Sequence, residues 1–179
     1  MIVVKISLEE KMSNPDTYLF NASQGQFLDF TKKLVDKKTI LGIDPGEKRM
    51  GLAISDTLLM IATPLLILER KSFDKDIAKI ETIINERDVG AIVCGYPLQM
   101  NGLEGESAQK AVNLASKIIT KTKLPTLMWD ERLSTSAMQR FLIEEADLSR
   151  KKRSKVIDSS AAAFILQGVL DAIKHQKNS

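Results

Sequence analysis

The sequence predicts a mixed α/β fold, a five-stranded sheet flanked by helices, and three observations carry that prediction. Residues 39–69 hold three apolar runs with short connections, the pattern of an antiparallel meander. Two later apolar runs, at residues 90–94 and 124–129, each follow a stretch of helical periodicity. No internal repeat or low-complexity tract breaks residues 39–175, which read as one domain behind an extension of residues 1–38.

The elements follow in order. In the extension, residues 1–6 suit either a short strand or a frayed end, and residues 12–24 are polar and loop-like. Phe27, Phe30, Leu34 and Val35 recur at helical spacing and predict a short amphipathic helix packed on the core. The first strand of the domain, 39–44, runs straight into Asp44, where Pro45 and Gly46 force a turn. Strand 50–55 returns, and Gly51 lets its backbone pass close to whatever the carboxylate holds. Pro64 makes the third run, 61–69, an edge strand or an irregular one.

Ser72 or Asp74 caps a helix whose Ile77, Ile80, Ile83 and Ile84 share one face and which ends near Asp88. Residues 90–94 form a continuous apolar strand of the buried parallel type. A glycine-rich loop with an Asn101-Gly102 turn spans 95–105. The next helix covers 106–121, with Ala108, Ala111, Val112, Ala115 and Ile118 inward. Strand 124–129 leads into Asp130, Glu131 and Arg132, and Ser134 or Thr135 caps a helix to about Glu145. A basic run from Arg150 to Lys155 precedes a last helix from about Val156 to Lys174.

Composition excludes several functions. With 179 residues, 44% hydrophobic and 27% charged, the chain matches an ordinary soluble globular protein. Only 5% is aromatic, which argues against a base-stacking platform. A net charge of +3 is compatible with nucleic-acid binding without requiring it. The lone Cys94 rules out an internal disulfide and a cysteine metal cluster, and its apolar flanks predict a buried, inert thiol. His175 lies in a polar tail, so zinc and triad chemistry based on histidine lack their parts. There is no glycine-rich Lys-Ser/Thr phosphate loop. No run approaches the roughly 18 apolar residues of a membrane span, and no secretory signal opens the chain, so a cytoplasmic protein is expected.

Three acidic positions remain: Asp44 at a strand end, Asp130-Glu131 past the last strand, and Asp158 near the start of the last helix. Each has a plain explanation alone, as a turn former, a solvated ion pair with Arg132, or a helix-dipole partner. Together, at positions a mixed sheet can bring into one cleft, they point to hard cations held through oxygen. Two Mg²⁺ ions clamped by such acids can activate water and stabilise the leaving oxygen of a phosphodiester. The basic run beside Asp158 suits a phosphate-backbone contact, and a solvated interhelical loop explains it equally simply.

Four motifs then carry a resemblance: Asp44-x-Gly46-x-Lys48-x-x-Gly51, Gly95-x-Pro97-Leu98-x-x-x-Gly102, Asp130-Glu131-Arg132-Leu133-Ser134-Thr135, and Val156-Ile157-Asp158-Ser159-x-Ala161-Ala162. In this order, over about residues 39–173, the chain resembles the YqgF/RuvX family of pre-16S rRNA nucleases. The resemblance implies a ribonuclease-H-like fold and a cytoplasmic hydrolase that matures the 5′ end of small-subunit ribosomal RNA. It implies Asp44, Glu131 and Asp158 as catalytic, metal-binding acids for Mg²⁺ or Mn²⁺, with Asp130 less clearly placed. It makes Lys48 and Arg132 candidates for holding phosphate, beside Arg150, Lys151, Lys152 and Arg153, and makes the Gly95–Leu98 loop substrate-facing. Pro45 departs from the family's usual aromatic or aliphatic residue and is closer to the resolvase RuvC.

Three alternatives stand beside this reading. A Holliday-junction resolvase needs a dimer presenting two sites, and sequence does not choose between monomer and homodimer. A non-catalytic RNA-binding ribosome-assembly factor has no reason to hold repelling carboxylates together. An actin- or sugar-kinase-like phosphotransferase shares the Asp-x-Gly turn but needs a second domain that this length does not supply.

Overall fold

In the computed structural model, residues 18–130 and 161–177 are described in full and residues 150–160 by their backbone. The expected strand at 1–6, the helix from Ser134 or Thr135 to Glu145, Glu131 and Arg132 lie outside the described residues. The order is β1 (Leu19–Asn21), a 3-10 turn (Ala22–Gln24), α1 (Phe27–Thr31), β2 (Thr39–Asp44), β3 (Arg49–Ser55), β4 (Ala62–Glu69), α2 (Phe73–Glu86), β5 (Val89–Tyr96), α3 (Glu106–Thr122), β6 (Thr126–Asp130) and α4 (Arg150–Lys177).

The described strands form one sheet in the order β1-β6-β5-β2-β3-β4. β1, β6, β5 and β2 run parallel, while β2, β3 and β4 form the expected antiparallel meander. Every residue of β5 is buried, because both faces of this central strand are covered. On one face Ile77 and Ile80 of α2 and Ala111, Ala115 and Ile118 of α3 pack on Leu41, Ile43, Ile92 and Met128. Cys94 belongs to that layer and is fully buried. On the other face Ala162, Leu166, Val169 and Ile173 of α4 pack over β2, β3 and β5, in one core with Ile40, Ala53 and Val93 that Phe20, Phe30, Leu127 and Trp129 extend. The period-2 alternation of each strand thus feeds two separate cores, with helices on both sides of the sheet.

β4 is the edge expected from Pro64. Leu52 pairs with Leu66 and Ala53 with Pro64, so Leu65 is an extra residue at a register shift. Pro64, which has no N–H to donate, sits where the ladder needs none from a further strand.

Three expectations are corrected. The sheet has six strands, not five, because Leu19–Asn21, within a stretch read as polar loop, pairs parallel with β6. Three residues carry no readable alternation, and what holds this strand is tertiary: Phe20 is 8% exposed and meets Phe30 edge-on, ring centroids 5.9 Å apart. The amphipathic helix is only Phe27–Thr31, with Phe30 buried and Val35 left 57% exposed beyond it. The last helix begins at Arg150 rather than Val156. Lys and Arg are good helix formers, and no Gly or Pro separates Arg150 from Val156. Charge density alone had suggested a loop there.

The direction of α4 positions the site. Its Gln167 amide accepts from the Ala62 N–H at 2.9 Å and donates to the Met60 carbonyl at 3.1 Å. Further on, Ile173 and Lys177 share a cavity with Lys38, just before β2. The carboxyl end of α4 therefore lies at the amino end of β2, and its first half runs back towards Asp44. The crossing point is Gly42, where an added Cβ would stand 2.9 Å from Leu166 Cβ and 3.0 Å from the Ala162 carbonyl oxygen. Gly42→Ala should therefore cost about 1–3 kcal/mol by overpacking. Urea unfolding measures it, and an unchanged midpoint would contradict the close helix–strand approach.

Candidate functional site

The parallel strands β2, β5 and β6 end side by side, which is where open α/β sheets bind ligands. Asp44 is the last residue of β2 and pairs in register with Gly51 of β3. Gly42 and Asp44 are two residues apart and so share one face of β2, the face that α4 covers. Asp158 occupies the helix position one turn before Ala162, on the side of the Gly42 crossing that leads towards Asp44. Backbone placement thus brings these two acidic positions to the same end and face of the sheet.

Asp130 goes elsewhere. It is the last residue of β6, 4% exposed, and is the register partner of Tyr96. Tyr96 packs in the core beneath α2 and α3, so register assigns Asp130 to the face opposite Asp44. Lys48 sits exposed in the turn between β2 and β3, and its carbonyl accepts from the Arg70 N–H at 3.0 Å. Arg150, Lys151, Lys152 and Arg153 occupy the first turn of α4. Among the described residues, no group of three or more His, Cys, Asp or Glu is placed to hold a metal.

The turn carrying Asp44 is built tightly. The Gly46 N–H donates to the Asp44 carbonyl at 3.0 Å. A Cβ at Gly46 would stand 2.2 Å from the Arg49 carbonyl oxygen, so only glycine fits there. Arg70, at the exit of β4, reaches back across the turn: Nη1 donates to the Gly46 carbonyl at 3.3 Å, while Nε donates to Asp76 Oδ2 at 3.3 Å. Asp76 is 2% exposed and also accepts from the Lys71 N–H at 3.2 Å. A buried carboxylate in the first turn of α2 thereby aims a guanidinium at the backbone beside Asp44. Nothing in the sequence signalled Arg70, because it lies 24 residues from Gly46 and only the fold joins them.

Asp44, Gly46, Glu47, Arg70, Ser107 and Lys110 line a cavity of about 250 Å³ beneath this turn. Lys110 bridges Glu106, at 2.8 Å, and Glu47, at 2.6 Å, tying the start of α3 to the turn. Both bonds hold Lys110 above the ordinary lysine range, Glu106 contributing most. The hydrogen bond from Lys110 in turn lowers Glu47. All three side chains are largely exposed, so the network orients the rim and adds little stability. The lining holds two acids, Asp44 and Glu47, and two bases, Arg70 and Lys110, and both bases are already paired with carboxylates, so the cavity is balanced in charge.

Three comparisons bear on this geometry. The family model described as RuvX, Holliday junction resolvase, matches residues 38–172. A Rhodospirillum rubrum protein named "Putative pre-16S rRNA nuclease" is 40% identical over 148 residues, 83% of this chain and 92% of that one. A Cereibacter sphaeroides protein of the same name is 47% identical over 145 residues, 81% and 90% of the two chains. In structure, the chain is similar to T. thermophilus RuvC in complex with Holliday junction substrate, with a TM-score of 0.55 and 14% identity. That match covers 77% of this chain and 96% of the other and speaks for the fold alone.

Arg70→Met should cost about 1.5–3 kcal/mol, because it leaves Asp76 buried with its charged partner gone. Thermal and urea unfolding measure the loss. Unchanged stability would mean that Arg70 does not restrain the turn.

Proposed function

The chain belongs to the RuvX family, and from that premise we propose that it hydrolyses phosphodiester bonds at the 5′ side of precursor 16S ribosomal RNA. Its fold is ribonuclease-H-like. Residues 39–175 are the nuclease unit, and residues 1–38 an extension whose strand joins the sheet. No helix among the described residues is long and apolar enough to cross a membrane; the assignment to the cytoplasm follows from the proposed work on ribosomal RNA.

One observation carries the reading: Asp44 ends a parallel strand on the face covered by the helix that bears Asp158. Asp44, Glu131 and Asp158 are the acids we assign to metal binding and catalysis. The burial of Asp130 beside Tyr96 supports giving the second role to Glu131. The donor set is all carboxylate oxygen without histidine or cysteine, the chemistry suited to Mg²⁺ or Mn²⁺. Bound there, two such ions supply Lewis-acid stabilisation of the attacking and leaving oxygens.

The chain's own cations do the positioning. Arg70 holds the turn from behind, so that Asp44 is presented in one orientation. Lys48 on the turn and Arg132 are assigned to the phosphates flanking the scissile bond. Arg150, Lys151, Lys152 and Arg153, in the first turn of α4, are assigned to the phosphate backbone further along the strand. The family description favours one second reading, cleavage of four-way DNA junctions.

Incubation with precursor 16S rRNA and with a four-way DNA junction, each with Mg²⁺ and with EDTA, separates the readings. Metal-dependent cutting of the RNA is expected; cutting of the junction alone would transfer the assignment to DNA. Asp44→Asn and Asp158→Asn should each lower cleavage at least about 100-fold. Their melting temperatures should be unchanged or higher, since each removes a charge from a repelling cluster. Full activity in either variant would place the metal site elsewhere.

Neutralising the basic run tests the second set of contacts. With all four residues replaced by Gln, RNA affinity should fall, and the salt slope of log affinity should flatten by roughly 0.7 per lost contact. The rate at saturating RNA should hold. Equal slopes for variant and parent would reduce the run to a solvated helix end.

A further inference from the structure

A second cavity, of about 270 Å³, lies on the far side of α3 from Asp44. Ser107, Lys110 and Leu114 of α3 line the Asp44 cavity, whereas Gln109 and Val112, on the opposite side of the helix, line this one. Its other wall is the extension. Leu19, Asn21, Gln24 and Gln26 all precede residue 38, where the family match begins. Both cavities open by the carboxyl ends of the parallel strands, where Tyr96 ends β5 and Asp44 ends β2.

The chemistry of the two cavities differs. Arg70 and Lys110 line the first together with Asp44 and Glu47, but among the described residues no Lys or Arg lines the second, where Glu104 is the one charged residue and repels phosphate. Around that carboxylate stand the amides of Asn21, Gln24, Gln26 and Gln109. Gln26 Oε1 accepts from the Asn21 N–H at 2.8 Å, which turns its NH₂ into the group left to donate. Gln24 and Gln109 have no side-chain partner among the described residues, so both can serve a ligand. Tyr96 donates its O–H to Glu104 Oε1, which orients the carboxylate and leaves a second lone pair on that oxygen and the whole of the other oxygen to accept from a ligand. Burial and that bond push the Tyr96 pKa up to about 12, so the phenol remains a donor at neutral pH. Leu19, Val112 and Met128 supply apolar wall. The volume lies just under the roughly 300 Å³ at which drug-sized sites begin.

We propose that this cavity is a base-reading subsite that receives one unpaired guanine of the bound strand, its N1–H and N2–H₂ edge donating to Glu104 and its remaining edge met by the Gln24 and Gln109 amides. The proposal rests on the nucleic-acid reading above. Single-stranded bases are read in this way, by hydrogen bonds to splayed-out edges, with the backbone held elsewhere. Guanine fits best because it alone presents two adjacent donors to a carboxylate. Adenine, with an acceptor at N1, faces Glu104 with like against like. The extension thereby adds sequence preference to a site whose phosphate contacts carry none.

Fluorescence titration in EDTA tests this without cleavage, using a ten-residue oligouridine RNA and the same RNA with one central guanosine or one adenosine. The guanosine strand should bind about tenfold tighter than the other two. That gap should close in Glu104→Gln and in the Gln24→Ala/Gln109→Ala double variant, with melting temperatures unchanged because all three side chains are exposed. Equal affinity for the three strands, or a gap that survives both variants, would overturn the subsite and leave the nuclease reading standing. Failure of every strand to bind at low salt would overturn both.

Discussion

Position 42 carries only a hydrogen on the face that α4 covers, and α4 settles into the space. Leu166 and Ala162 approach the β2 backbone so closely that a Cβ at position 42 would crowd both. From that contact the rest of the arrangement follows. The helix runs unbroken from Arg150 to Lys177, so fixing it at Gly42 also fixes the strand end that its first turns pass. Asp44 lies two residues beyond the crossing on the strand, and Asp158 one turn before it on the helix. The apolar stripe from Ala162 to Ile173 holds this contact by burying the α4 face of β2, β3 and β4.

The strand end is secured independently of the helix. Asp76 is buried at the start of α2, and its need for a charged partner keeps Arg70 folded back on the Gly46 carbonyl. A buried carboxylate is costly alone, so the pair is far more restrained than an exposed ion pair would be. On the solvent side, Lys110 joins α3 to Glu47 with exposed, screened bonds. The turn is therefore braced by a buried pair underneath and by exposed, screened pairs at its rim. That combination suits the metal and phosphate site proposed above.

The extension changes the edge of the sheet. Without β1, β6 would be the exposed last parallel strand, with its backbone groups open to pairing. Three residues suffice to cover it because Phe20 and Phe30 anchor them in the α4-side core. The Asn21 side chain accepts from the Ser23 N–H at 3.0 Å and closes the chain back on itself. The amides of this short segment are thus set beside Glu104 and Tyr96, at the carboxyl end of the parallel strands.

Much of this was legible in the residues themselves. Strand β5 is an unbroken apolar run, and Pro64 declared the edge, because burial on two faces and a missing N–H leave marks at single positions. The isoleucine spacing of α2 and the Asp-Pro-Gly turn are equally local, and so Asp44 could be found. Strand β1 could not, since three residues have no period and are held by Phe30 and β6 from elsewhere in the chain. The early start of α4 was hidden because Arg and Lys serve helix and loop alike. Arg70, the opposite faces of Asp44 and Asp130, and the cavity behind α3 were decided only in three dimensions. Each depends on which strands become neighbours and in what register, and that is set by the joint burial of two apolar faces rather than by any segment alone.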